Sequence, residues 1–387
     1  MTGQERTYFD FIRYSLGITK ELPATVADIN WADFYEFVKK QTLLGVVFDG
    51  IERLPKELVP SKGLLTKWIG YSMKIKQRNQ LMYKLSGEVY SEIRKMGFRC
   101  CVLKGQGNAM AYPNCYSRTP GDVDVWVMTN SRDELRQIAK GLADSPSDIE
   151  REIVNHIELN RRGVAVELHP TPMIFNNPIL NHRMQKWFVH NADLQWSNIV
   201  DLPDGVGQIA IPTATFNAIY QLSHLHHHFF YEGVGLRQMI DYYYVLMGLP
   251  QMGTDGGIEK KQEKHRLRLK NKPSGLQHKT QSTLRHLGLY GFAGAVMYVL
   301  HEVLGLSEDR MIVPMDVKRG KLLLDEILSA GNFGQYSGHS FESGTLGHNL
   351  QRLKRDVKLV RYYPAEALAE PFFRVWHFFW RVFHKAS

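Results

Sequence analysis

The sequence predicts an α+β chain: a minimal mixed sheet with helices, flanked by an N-terminal and a C-terminal helical region. Three observations carry this. Short apolar runs at Phe98 to Leu103, Val123 to Val127, Ile157 to Leu159 and Val164 to His169 sit close together and have strand length. Apolar residues at helical spacing dominate before and after them. The order strand, helix, strand, helix, strand, strand suits a small sheet with helices on one face.

From about Gln4 to Tyr90 the apolar spacing is helical. Trp31, Phe34, Tyr35 and Val38 make one stripe, which Leu43, Val46 and Val47 continue before Pro55. A second helix, from about Ser61 to Met96, carries Trp68, Tyr71, Ile75 and Met82. After the Met96-Gly97 break, the first strand runs to Leu103 and ends in Lys104-Gly105, with a helix expected from Gln106 to Tyr112. The strand holding Asp122 and Asp124 stops at Thr129-Asn130-Ser131, which offers N-caps for a helix to about Leu142. Asp144 to Asp148 reads as a turn, and the Glu158 and Glu167 strands as a hairpin through Arg161-Arg162-Gly163. Beyond Pro212 the pattern is helical again. The expected division is a helical region over 1–96, a core over 97–210, and a helical region over 211–387 with a basic linker near 251–283.

The chemistry concentrates between Phe98 and His169. Asp122 and Asp124 alternate with Val123, Val125 and Val127, so both carboxylates share one strand face. Carboxylates so close repel each other unless a cation lies between them, which points to Mg²⁺ or Mn²⁺ bound together with substrate phosphates. Glu167 can join the pair if its strand lies alongside. Glu158 sits on a comparable strand and competes for that role. Three carboxylates with divalent ions suit in-line phosphoryl or nucleotidyl transfer. At Lys104-Gly105-Gln106 a strand–glycine–helix junction would present backbone N–H groups to a triphosphate. Lys104 reads as a phosphate ligand or as a solvated strand-end lysine. Arg118, in the loop entering the aspartate strand, reads as a phosphate clamp or as an ion pair orienting an aspartate.

The 387 residues suffice for two or three modest domains, and the net charge of +9 modestly favours an anionic partner, with a nucleoside triphosphate, nucleic acid or an anionic membrane all fitting. Cys100, Cys101 and Cys115 suggest no disulfide framework, and adjacent Cys100 and Cys101 point to opposite strand faces. No signal peptide or spanning segment stands out, so a cytoplasmic location is expected. The lysine- and arginine-rich run from Gly256 to Lys279 reads as a solvated linker, lacking aromatic residues for base stacking. His224 and His228 share a helix face and read as structural or cleft histidines ahead of a dedicated metal site. Arg237 and Asp241 are spaced for an intrahelical pair. The C-terminal helix carries Phe372, Phe373, Trp376, Phe379, Trp380 and Phe383 among basic residues. It is expected to dock on the helical region, with peripheral membrane contact as the second reading.

The succession LKG, a tyrosine, R-x-x-G-D-V-D-V-W-V and V-E-L-H resembles the uncharacterised nucleotidyltransferase family of bacterial proteins, within the DNA polymerase β-like superfamily. The resemblance is strongest over Phe98 to Val127 and Val164 to His169, and weaker over Leu222 to Leu246. It implies a metal-dependent enzyme that moves a nucleoside monophosphate from an NTP to an acceptor hydroxyl or phosphate and releases pyrophosphate. Asp122 and Asp124 become its metal ligands and Glu167 its third carboxylate, preferred over Glu158 because Leu168-His169 follow it. Lys104, Gly105 and Arg118 become triphosphate contacts, with Gln106 or backbone N–H groups standing in for the serine of the wider superfamily. Arg237 and Asp241 match an arginine and an aspartate of the family and are placed along the cleft. The acceptor stays open between small molecule, protein and RNA. A catalytically silent nucleotide-binding or regulatory module, or a membrane-peripheral scaffold, is the alternative.

Overall fold

The structure, a computed structural model, describes residues 1–249, 275–331, 357 and 359–384. It is α+β, with a five-stranded mixed sheet and a separate two-stranded one. The chain opens with α1 (Gly3–Ser15), α2 (Trp31–Lys40), α3 (Leu44–Ile51) and the 34-residue α4 (Lys62–Lys95). Asn30 caps α2 by accepting from the Ala32 and Asp33 N–H groups, which would otherwise have no helical partner. Gly97, at φ +90°, lets the chain leave α4 and enter β1 (Cys100–Leu103).

The site is built in the next stretch. After β1 come the short α5 (Gly105–Ala109), β2 (Val123–Val127), α6 (Arg132–Leu142), β3 (Ile149–Glu152), β4 (Ile157–Arg161) and β5 (Val164–His169). Ser131 caps α6 through the Glu134 N–H, as the sequence anticipates. Arg162 and Gly163, at φ +55° and +74°, make the two-residue turn between β4 and β5; positive φ at both positions fits the twist of a hairpin. Two features differ from expectation. The β3 strand, just after the foreseen Asp144 to Asp148 turn, pairs with β4 where no strand was foreseen, and α5 spans five residues rather than reaching Tyr112. Pro113 lies just beyond, and the residue before a proline disfavours helix.

The strand order is β1-β2-β5-β4-β3. β2 runs parallel to β5 and antiparallel to β1, so the two acid-bearing strands are direct neighbours at the sheet centre. Val123, Val125 and Val127 pack with Val89 and Ile93 of α4 and with Leu135 and Ile138 of α6. Trp126 faces the other way, against Trp196 and Phe216. Asp124 alternates with the valines and therefore faces that second side.

Residues 170–211, where the sequence suggested no element, form α7 (Pro178–Ser197) and the hairpin β6 (Ile199–Asp201) and β7 (Gln208–Ala210). Helices follow: α8 (Ala214–Tyr231), α9 (Leu236–Met247), α10 (Gly275–His286), α11 (Tyr290–Leu304), α12 (Val317–Ala330) and α13 (Pro364–His384). The two flanking helical regions share one hydrophobic core with the second side of the sheet. Arg13 donates to the carbonyls of Glu302 and Val303, and Gln41 donates to that of Ile327 while accepting from the Leu236 N–H. Most of the basic run and the last aromatic side chains of α13 lie outside the described residues. Tyr363, just before α13, and Ala367 and Glu370 within it are buried, whereas Leu368, Phe372, Val375 and Trp376 are exposed. No helix among the described residues is long and apolar enough to cross a membrane. Cys100, Cys101 and Cys115 are all free thiols.

Glu366 of α13 makes a testable contribution to stability. It is buried, accepts from the Asn176 N–H, and burial pushes its carboxyl up to about 7. The folded state thus favours the protonated form. Stability is highest below the ordinary glutamate pKa and falls as pH rises towards 7. Glu366→Gln is expected to flatten this decline, gaining up to about 3 kcal/mol at pH 8 and little at pH 4. Urea unfolding of both proteins across that pH range checks it; parallel curves would exclude burial of the charge as the cause.

Candidate active site

The parallel register sets Asp124 directly opposite Glu167, and the antiparallel register sets Glu158 opposite Glu167 on the far side. Opposed residues share a sheet face, so three acids stand in a row across β2, β5 and β4. Their surroundings separate them. Glu158 turns to Arg151, 2.9 Å away on the neighbouring edge strand. Asp122, Asp124 and Glu167 instead converge, each offering an oxygen within 4.8 Å of the others.

Asp124 is the most constrained of the three. Its side chain is 2 % exposed, and Oδ1 receives the Lys104 ammonium at 3.0 Å and His169 Nε2 at 3.1 Å. Burial alone would raise this carboxyl, but Lys104 and His169 outweigh it and hold it below the usual carboxylate range. Asp122 moves the other way, to about 6, because the Asp124 charge sits beside it and burial adds to the effect. The pair is pushed apart by mutual repulsion, as adjacent carboxylates should be. Burial opposes the charge of Glu167 too, but the His169 hydrogen bond holds its carboxyl below the ordinary value.

Lys104 is held between Asp124 and helix α8: its Nζ lies 2.7 Å from His224 Nε2, and that nitrogen lies 3.2 Å from His228 Nε2. Burial opposes the lysine charge, but Asp124 wins and keeps it protonated. The histidine pair on α8 thus borders the carboxylates as a partner of Lys104. Lys104 adopts φ +48° and ψ −136°, a conformation costly for a side-chain-bearing residue and typical of functional turns. Gly105 follows at φ +37°, where an added Cβ would meet the Asp122 carbonyl oxygen at 3.4 Å.

Arg118 has an internal partner. It donates Nε to Asp241 Oδ1 and Nη2 to Asp241 Oδ2, both at 2.7 Å, and the Tyr112 hydroxyl donates to the same carboxylate. A bidentate buried pair of this kind fixes orientation. It ties the loop before β2 to α9, so the ion pair expected for Arg118 exists, but with Asp241 rather than with either strand aspartate. Arg237 donates to the Thr119 carbonyl and Asn79 to the carbonyls of Tyr116 and Arg118, pinning the same loop. Gln106 donates to Asn79 Oδ1, leaving its Oε1 buried without a hydrogen-bond partner. Arg237 and Asp241 therefore support the loop that delivers Asp122. The sequence reading did not single out Asn79, Tyr112 or His156. Only His156 had a usable signal, since counting back from the Arg162-Gly163 turn sets it opposite His169.

The geometry provides a carboxylate set centred on buried Asp124, with an ammonium at its edge and a loop braced from α4 and α9. The chain belongs to the uncharacterised nucleotidyltransferase family, whose pattern matches residues 27–269 and so spans the sheet, the braced loop, α8 and α9. The general reaction of that family is nucleotidyl transfer, with an NTP as donor. No curated protein and no solved structure matches the chain significantly.

Proposed function

We propose that this chain transfers a nucleoside monophosphate from an NTP to an acceptor hydroxyl or phosphate, with pyrophosphate leaving. The observation that carries the reading is the convergence of Asp122, Asp124 and Glu167 on neighbouring strands of a nucleotidyltransferase family member. The donor set fits a hard divalent ion. It is all oxygen, and Asp124 Oδ2 is buried without a hydrogen-bond partner, an expensive state for an acceptor that nothing satisfies. Asp122, Asp124 and Glu167 would hold Mg²⁺ or Mn²⁺, which would lower the pKa of the attacking hydroxyl and neutralise charge on the leaving pyrophosphate. The chain's own groups do the positioning. Lys104 brings a permanent positive charge to the edge of the carboxylates, where triphosphate oxygens would compete with Asp124 for it. Gly105 allows the backbone close to the phosphates, and the Arg118–Asp241 pair keeps the loop from drifting. Arg118 thereby acts as a positioning residue for Asp122.

Gly105→Val is expected to weaken NTP binding by more than about tenfold, because a β-branched residue is strained at positive φ and crowds the approach. Calorimetric titration of protein shown folded by circular dichroism checks it; unchanged affinity would move the triphosphate elsewhere. A silent nucleotide-binding module is the second reading, favoured by the Lys104 ammonium that already neutralises Asp124. Incubation with each labelled NTP, Mg²⁺ or Mn²⁺ and a cell extract separates the two. A labelled acceptor supports transfer and identifies its class. NTP binding with no labelled product under any metal supports the silent module.

A further inference from the structure

On the β4 side of the carboxylates lies a second constellation, which shares Glu167 with them and adds two histidines to which nucleotidyl transfer gives no role. His156, in the turn before β4, faces His169 at the end of β5 across the hairpin, with ring centroids 5.1 Å apart. Glu167 lies between them: its Oε2 is 3.4 Å from His156 Nδ1 and 3.1 Å from His169 Nε2. Both imidazoles are 7 % exposed. Each of the three residues offers a ligand atom within 4.8 Å of the other two.

We propose that His156, Glu167 and His169 form a second metal site, selective for a zinc-class divalent ion, which shares Glu167 with the nucleotide-side carboxylates. Bonds of about 2.0–2.1 Å at tetrahedral angles put neighbouring ligand atoms about 3.3 Å apart, and the two observed edges bracket that value. Both His156 nitrogens are buried with no hydrogen-bond partner, and the 3.4 Å approach to Glu167 is too long to supply one. A buried imidazole with neither nitrogen satisfied is costly if its only role is packing. Two imidazoles and one carboxylate suit zinc, cobalt or iron and discriminate against magnesium, which prefers oxygen ligands. Asp124 Oδ1, 3.1 Å from His169 Nε2, offers a fourth ligand. A metal here would bind β2, β5 and the entry to β4 together and fix Glu167 from its far side.

The test uses the full chain, stripped with a chelator and titrated with Co²⁺ alone, whose visible bands intensify in a tetrahedral imidazole and carboxylate set. Wild-type protein is expected to develop these bands and to keep them in excess Mg²⁺. Asp122→Asn should retain them, because Asp122 belongs only to the other group. His156→Gln should lose them and bind Co²⁺ at least about 100-fold more weakly, since loss of a ligand itself costs no less than the roughly 10–100-fold seen when a ligand's outer partner is removed. Bands that are absent in wild type, or unchanged in His156→Gln, overturn the site. Because His156 is buried, a measurement on the wild type guards against misfolding: Zn²⁺ should shift the imidazole proton resonances of His156 and His169, and unmoved resonances also overturn it. NTP titration in Mg²⁺, run on the same samples, keeps the two readings apart. Cobalt bands without NTP binding would leave this site standing and remove the nucleotidyl reading; NTP binding without cobalt bands would do the reverse.

Discussion

Asp122→Asn is expected to abolish Mg²⁺-supported NTP binding while the protein stays folded and melts no lower than wild type. The environments of the two strand aspartates explain why this substitution is the informative one. Asp124 is buried between Lys104 and His169, so its neutralisation would leave buried positive groups without their counter-ion. Breaking a buried pair by removing one partner typically costs about 3–5 kcal/mol, and Asp124→Asn would confound lost binding with lost stability. Asp122 has no such dependants. Its carboxyl is already pushed up to about 6, first by repulsion from Asp124, so removing the charge relieves the folded state. The metal, by contrast, loses one of three oxygen ligands. NTP titration in Mg²⁺ and a parallel melt make the check. Wild-type affinity in folded Asp122→Asn would remove Asp122 from the site.

Much of this arrangement was readable before any coordinates. The alternation of Val123, Asp124 and Val125 fixed which face the acids occupy, because a strand has a period of two. The hairpin through Arg161-Arg162-Gly163 was legible as well, and the structure adds the register that sets Glu158 and Glu167 opposite one another. What could not be read was long-range. The pairing of Arg118 with Asp241 spans 123 residues, and neither neighbourhood carries a local pattern naming the other. The shared core of the two helical regions is hidden for the same reason: an apolar stripe states that a face is buried, not against what. The short β3, with its mostly exposed residues, lacked apolar alternation and owes its existence to pairing with β4. His156 stands between these cases. The register was available, but a histidine in a turn attracts no notice until its partner across the hairpin is named.

Glu167→Gln is expected to lower kcat by about 1,000-fold, on the order of 4 kcal/mol of transition-state stabilisation, with NTP affinity largely kept. The register is the reason. Glu167 is opposite Asp124 on the adjacent parallel strand, close enough to share an ion with it, yet it lies a strand further from Lys104 and Gly105 at the end of β1. Ground-state NTP binding therefore depends mainly on the aspartates and the β1 turn, whereas a ligand facing the attacking hydroxyl acts chiefly in the transition state. Glutamine keeps the volume and one acceptor oxygen for His169, which holds the local structure together. Glu158→Gln is the matched control: the same chemical change, on the same face, one strand over, at a carboxylate occupied by Arg151. It should alter kcat by less than about twofold, as an ion pair at the sheet edge contributes little. Single-turnover measurements on both variants separate chemistry from product release. A collapse in Glu158→Gln with Glu167→Gln unaffected would move the reacting centre to β4, where neither Asp122 nor Asp124 has a partner in register.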